Sequence, residues 1–130
     1  MKSYRIRSSF GLPLVTAVIV GPKGASRVEL VFDSGAANTQ LHIGTLEAVG
    51  LSFAGKRPDI SVRGVTGTQA GHSFTAKRFH LFGKRYEQLP LAAYDFTDWA
   101  EDGIDGLLRW DLIQKLQLEM NGPRGELRIF

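Results

Sequence analysis

The sequence predicts a mainly β domain, a compact barrel or sandwich-like sheet with one or two short helices. Two observations predict it. Runs rich in β-branched and aromatic residues recur at short, regular spacing, divided by Gly, Pro or Lys-Arg turns. Helical patterning is confined to two brief segments. At 130 residues the chain fits a single domain, 1–130, with enough length to bury a core. A content of 43% hydrophobic and 22% charged residues argues against disorder.

The first strand-like run is Tyr4–Arg7, and the second is Leu14–Val20. Lys2, Arg5 and Arg7 precede an apolar stretch from Phe10 to Val20, in the manner of a secretory leader. Gly11 and Pro13 interrupt that stretch, and Val15-Thr16-Ala17-Val18-Ile19-Val20 is β-rich, so it reads as a strand and a cytoplasmic location is favoured. Gly21-Pro22-Lys23-Gly24 reads as a hairpin turn into Arg27–Phe32. Gly44–Leu51 has the look of a short helix stopped by Gly50. Ile60–Arg63 and Ser73–Leu81 are strands flanking a segment with Gly64, Gly67 and Gly71, a density that suggests a mobile hairpin. Tyr86–Ala93 is the next strand, Trp110–Leu116 the second helix, and Glu126–Phe130 the closing strand. No stretch is long enough to span a membrane.

Composition narrows the chemistry. The absence of cysteine excludes disulfides, a thiolate zinc site and cysteine catalysis. The net charge of +3 is spread over Lys56-Arg57, Lys77-Arg78 and Lys84-Arg85 without a basic, aromatic-laced stripe, so no nucleic-acid partner is expected. His42, His72 and His80 lack ligand spacing. Asp95, Asp98, Glu101, Asp102 and Asp105 fit no calcium loop, and read as a solvated acidic loop with Asp105 in a turn. Neither a metal nor a cofactor is implied.

One carboxylate stands apart. Asp33-Ser34-Gly35-Ala36 follows directly on the apolar run Val28–Phe32. Gly35 permits a tight fold-back close to a ligand, and Ser34 offers a hydroxyl to fix the loop. By itself this is also an ordinary turn sequence. The order of features around it says more. An N-terminal hairpin leads into the motif, then Thr39-Gln40-Leu41-His42, a short helix, a Gly-containing hairpin and further strands. The chain closes on Gly103-Ile104-Asp105-Gly106-Leu107-Leu108-Arg109-Trp110-Asp111-Leu112-Ile113, a helix and a last strand.

That order resembles the retropepsin-like aspartic proteases, the single-domain bacterial forms in particular, over nearly the whole chain. The resemblance implies a closed β-barrel, half of an acid-protease fold, with a flap. It implies that Asp33 is catalytic and that Ser34, Gly35, Ala36, Leu107 and Leu108 support the active-site loop. Gly64, Val65, Thr66 and Gly67 would form the substrate-binding flap. The motif occurs once, while the chemistry needs two carboxylates sharing a proton, so a homodimer acting on a peptide or protein substrate is implied. Met1–Arg5 and Leu127–Phe130 are the segments that would interleave in a dimer sheet. Val31, Ala36 and Val62 suggest apolar substrate pockets.

Two departures stand out. Arg109 occupies the place of a family Gly, so either its side chain points outward or Gly106–Leu108 shifts register. Ala37 and Trp110 replace an Asp–Arg ion pair of retroviral members. Two other readings stay open: a catalytically inactive peptide-binding or dimerisation module of the same fold, and an unrelated small β-barrel in which Asp33-Ser34-Gly35 is a turn.

Overall fold

The structure, a computed structural model, describes the backbone of residues 1–64 and 67–130, and the side chains of all of these except 62–64. An N-terminal meander runs through β2 (Arg7–Ser9), β3 (Leu12–Gly21) and β4 (Gly24–Phe32). Along β3, Val15, Ala17 and Ile19 are buried while the residues between them are half-buried, the period of two expected of a strand with one face on a core. Gly21 pairs with Gly24, so Pro22-Lys23 is the two-residue turn expected, and Gly24 takes φ +135° there.

The chain continues through β5 (Gln40–His42), α1 (Ile43–Ala48), β6 (Ile60–Gly64), β7 (Gly67–Leu81) and β8 (Lys84–Tyr94). It then forms α2 (Thr97–Glu101), β9 (Gly106–Leu108), α3 (Trp110–Ile113), β10 (Leu118–Asn121) and β11 (Glu126–Ile129). Eight strands lie in the order β2-β3-β4-β9-β5-β8-β7-β6, and an additional pairing of β3 with β7 closes the sheet upon itself. The interior is filled by Val15, Ile19, Leu30, Leu41, Phe79 and Leu108, among others. This is the closed β-barrel that the sequence implied.

The C-terminal end of β4 and the whole of β9 are buried on both faces. In β4, Leu30 enters the main core while Val31 joins a second apolar cluster with Leu14, Ile104 and Leu107. Its neighbour β9 does the same, with Leu108 facing the main core. The two pair in parallel, Val31 opposite Leu107 and Phe32 opposite Leu108, and burial on both faces is what a parallel pair requires. Gly106 makes the crossing possible, since a Cβ there would lie 2.0 Å from the carbonyl oxygen of Gln40 in β5.

The first helix ends as the sequence indicates. Gly50 takes φ +96°, its N–H donates to Glu47 O (3.0 Å), and Leu51 N–H donates to Leu46 O (3.1 Å), a Schellman pairing that favours glycine. Elsewhere the expectations shift. The run Tyr4–Arg7 divides into β1 (Lys2–Arg5) and β2, because Ile6 N–H turns aside to Gly125 O (2.8 Å). β1, β11 and β10 form a separate three-stranded sheet with β11 in the middle. The terminal segments therefore pair with each other within one chain, Lys2 opposite Ile129 and Arg5 opposite Glu126. The second helix is shorter than read from sequence, stopping at Ile113, and part of the acidic loop is the helix α2. Among the described residues no helix is long and apolar enough to cross a membrane.

Candidate active site

Asp33 follows the last residue of β4, and backbone bonds fix the loop it begins. Asp33 N–H donates to Leu108 O (2.9 Å), which extends the β4–β9 pairing by one step. Gly35 N–H donates to Asp33 Oδ1 (3.0 Å), Trp110 N–H to Ala36 O (2.9 Å) and Asp111 N–H to Ala37 O (3.0 Å). Leu107 and Leu108 are buried beside this loop. Ser34 is exposed and Ala36 half-buried. Gly35 does not adopt a positive φ, so the fold-back does not depend on left-handed backbone; a Cβ there would meet only Asp33 Oδ1, at 3.3 Å.

Beneath the loop lies a polar knot that sequence reasoning missed. Thr39 is fully buried. Its hydroxyl donates to Asp111 Oδ1 (2.6 Å) and accepts Arg109 N–H (3.0 Å), while its own N–H donates to Asp111 Oδ2 (3.0 Å). Thr39 O accepts Ala92 N–H (3.2 Å). One threonine thus ties the loop after β4 to α3 and to β8, and carboxylate acceptors make such bonds the strong kind. Asp105 does a similar job on the other side, and more than a turn residue would. Its carboxylate accepts Glu29 N–H (2.8 Å) and the Thr45 hydroxyl (2.9 Å). The signal available in the sequence was a Thr and two Asp residues flanking the two motifs; what they bond to depends on the crossing of β4, β5 and β9.

Arg109 does not take the outward course offered for it. β9 pairs with β4 with Leu108 opposite Phe32, and the Arg109 side chain does not point outward: Arg109 Nε lies 3.3 Å from Asp33 Oδ2, with the arginine side chain 15% exposed and the aspartate 36%. The Arg109 backbone is extended (φ −122°, ψ −175°), a conformation open to any residue. Ala37 and Trp110 contribute backbone bonds in place of an ion pair.

β6 and β7 form an antiparallel hairpin. Gly64 and Gly67 pair across its end, and Val65 and Thr66 lie outside the described residues. Its root is clamped by Asp59, whose carboxylate accepts Ser73 N–H (2.7 Å) and the Ser73 hydroxyl, bonds that hold its pKa below the ordinary value. Gln69 Nε2 donates to Asp95 O (2.9 Å), and Asp95 is itself lowered by the Thr97 hydroxyl and N–H. Gly71 packs under Tyr94, whose ring a Cβ would meet at 2.4 Å.

Between hairpin root and loop lies a cavity of about 270 Å³ bounded by Ala36, Asn38, Gln40, Ser61, Tyr94 and Arg109. Ala37, Ile60 and Ala92 complete the lining, so the cavity mixes apolar and polar side chains. Val31 is committed to the second cluster, and the side chain of Val62 lies outside the described residues. Burial raises the Tyr94 hydroxyl above its ordinary pKa, and nearby Arg109 offsets part of this. His42 accepts Phe96 N–H at Nδ1 (2.9 Å), a structural role. Among the described residues no group of His, Asp or Glu is arranged to hold a metal ion.

The aspartyl protease family model matches residues 15–112, from within β3 through β4, the Asp33 loop and the hairpin into α3. The chain belongs to the aspartyl protease family. Solved structures agree on its fold. A retropepsin-like aspartic protease from Rickettsia conorii superposes with a TM-score of 0.71 at 14% identity, covering 100% of this chain and 99% of that one. The protease of EIAV, in complex with an inhibitor, gives 0.59 at 15% identity over 80% of this chain and 86% of that one. The retroviral protease-like domain of Ddi1 from Leishmania major gives 0.59 at 20% identity over 91% and 87%. This family member thus has the retropepsin-like fold. A comparison with curated proteins returned no match.

Proposed function

We propose that this chain is a single-domain aspartic endopeptidase that works as a homodimer, each subunit contributing Asp33. The carrying observation is the placement of Asp33: part-exposed at the end of β4, on a loop held by Leu108, Trp110 and Asp111, in a member of the aspartyl protease family. Two such carboxylates within hydrogen-bonding distance share one proton, because like charges repel in a site shielded from water. One then draws a proton from a bridging water while the other protonates the scissile carbonyl, giving a gem-diol that collapses to amine and acid. Gly35 and Ala36 line the path of an extended peptide, Ser34 bonds across the two loops, and Leu107 and Leu108 buttress them. The hairpin, with Gly64, Val65, Thr66 and Gly67 at its end, acts as the flap that closes over substrate.

The second reading, a module that binds peptides without hydrolysing them, draws on the Asp33–Arg109 ion pair, which engages the carboxylate within one chain. One experiment separates the two. A denatured protein mixture is incubated at about pH 4 to 7 with the wild type and Asp33→Asn, with products identified by mass spectrometry and subunit assembly followed by sedimentation. Cleavage by a wild-type dimer that vanishes in a folded Asp33→Asn dimer supports the endopeptidase. A folded wild-type dimer without turnover selects the binding module. A monomer at all concentrations removes the endopeptidase reading, which needs two Asp33 carboxylates.

A further inference from the structure

We propose that the cavity beside Asp33 selects an acidic side chain of the bound peptide, with Arg109 as the residue that grips it. The inference rests on the endopeptidase reading and names the substrate class for that site. Three observations carry it. First, among the described residues lining the cavity, Arg109 is the sole charged one. Second, its charge is incompletely matched: Nε is buried and lies near Asp33 Oδ2, yet forms no hydrogen bond. Third, polar side chains surround it, buried at Gln40 and Tyr94 and exposed at Asn38 and Ser61. Gln40 is 4% exposed and the Tyr94 hydroxyl is held at raised pKa by burial, with Asn38 and Ser61 completing the rim.

A guanidinium presents its donors in a planar fork that fits a carboxylate through two parallel bonds. An apolar side chain in the same place would cover Arg109 and Gln40 while giving their polar atoms nothing, and that is how polar sites reject isosteres. Ala36 and Ala92 add small apolar side chains to the same lining, against which a Glu stem would pack. Arg109 would then stand between two carboxylates, the substrate's and Asp33, and bring the peptide's acidic residue into register with the reacting centre.

The test is a pool of blocked peptides carrying Glu, Gln or Leu at each position, digested by the wild type, Arg109→Lys and Arg109→Met. Glu should be favoured over Gln and Leu by about tenfold or more at one position near the cleaved bond, the worth of a charge-assisted hydrogen bond. Arg109→Lys should keep part of this preference and Arg109→Met should lose it. Equal profiles for the wild type and Arg109→Met, or a wild-type preference for Leu, overturn the proposal. If no peptide is cleaved, the endopeptidase reading has failed, and binding decides the pocket separately. Matched Glu and Gln peptides are titrated by fluorescence polarisation: tighter Glu binding by wild type alone supports it, and equal affinities refute it.

Discussion

Replacing Thr39 with Val tests the knot that positions the Asp33 loop. The two side chains have the same shape, so packing of this fully buried residue is kept and the hydroxyl alone is removed. Two bonds go with it: the donation to Asp111 Oδ1 at 2.6 Å and the acceptance of Arg109 N–H at 3.0 Å. A charge-assisted bond of this kind contributes about 1.5–3 kcal/mol, and stranding a buried N–H costs about 1–3 kcal/mol. Because both share one oxygen, their sum is not additive, and a loss of about 3 kcal/mol is expected. With a urea slope of about 1–3 kcal/mol per molar, the unfolding midpoint should fall by at least about 1 M with unchanged slope. Thr39→Ser keeps the hydroxyl and loses one methyl, about 1 kcal/mol. The Thr39→Val protein that still folds should also turn over more slowly, since Asp111 Oδ1 and Arg109 N–H each lose their bond beneath the loop. Equal losses for Val and Ser, or a Val cost below about 1 kcal/mol, would refute the claim that this hydroxyl organises the site.

Other perturbations follow from the same geometry. Gly106→Ala places a Cβ 2.0 Å from Gln40 O and 3.0 Å from Leu41 Cα, both backbone, so a loss above about 4 kcal/mol or failure to fold is expected by circular dichroism. Asp105→Ala frees Glu29 N–H and the Thr45 hydroxyl together and should cost about 2–4 kcal/mol in denaturant titration, with Asp105→Asn costing less. Asp59 is lowered from its ordinary value of 3.8 by its bonds to Ser73. Its contribution is therefore present above that value and lost as pH falls through the lowered folded value. Amide exchange of Ser73, corrected for intrinsic rates, should quicken over that acid range in the wild type and stay level in Asp59→Asn.

Much of the fold was legible because long strands write their period into the chain. Val15, Ala17 and Ile19 alternate with half-exposed neighbours, and Gly21–Gly24 marks the turn between β3 and β4. The short strands β5 and β9 were not legible, for a physical reason. Three residues carry no period, and Gly106-Leu107-Leu108 is buried on both faces, so alternation is absent by construction. Asp33 was legible as a carboxylate after an apolar run. Thr39, Asp111 and Asp105 were not, since their partners lie some 60 to 76 residues away along the chain. Val31 lies two residues before Asp33 and was read as a pocket residue, yet alternation turns it into the second apolar cluster.

Arg109 shows why a departure from a family pattern should be weighed by conformation before volume. A glycine whose backbone is left-handed resists replacement; Arg109 sits at φ −122° and ψ −175°, where any residue fits without strain. Arginine is accommodated at this backbone without strain, and its guanidinium brings charge to the site. Arg109→Gly makes the distinction measurable. It removes an ion pair to a carboxylate that is 36% exposed and so largely served by water, and it removes a buried Nε without a hydrogen bond. It also frees the unfolded chain, at about 0.5–1 kcal/mol. These terms oppose one another, so stability should stay within about 1 kcal/mol of the wild type while peptide preference changes. A stabilisation well above that figure would mean that Arg109 is held under strain, and that the native backbone at this position is not the extended one from which its role is argued.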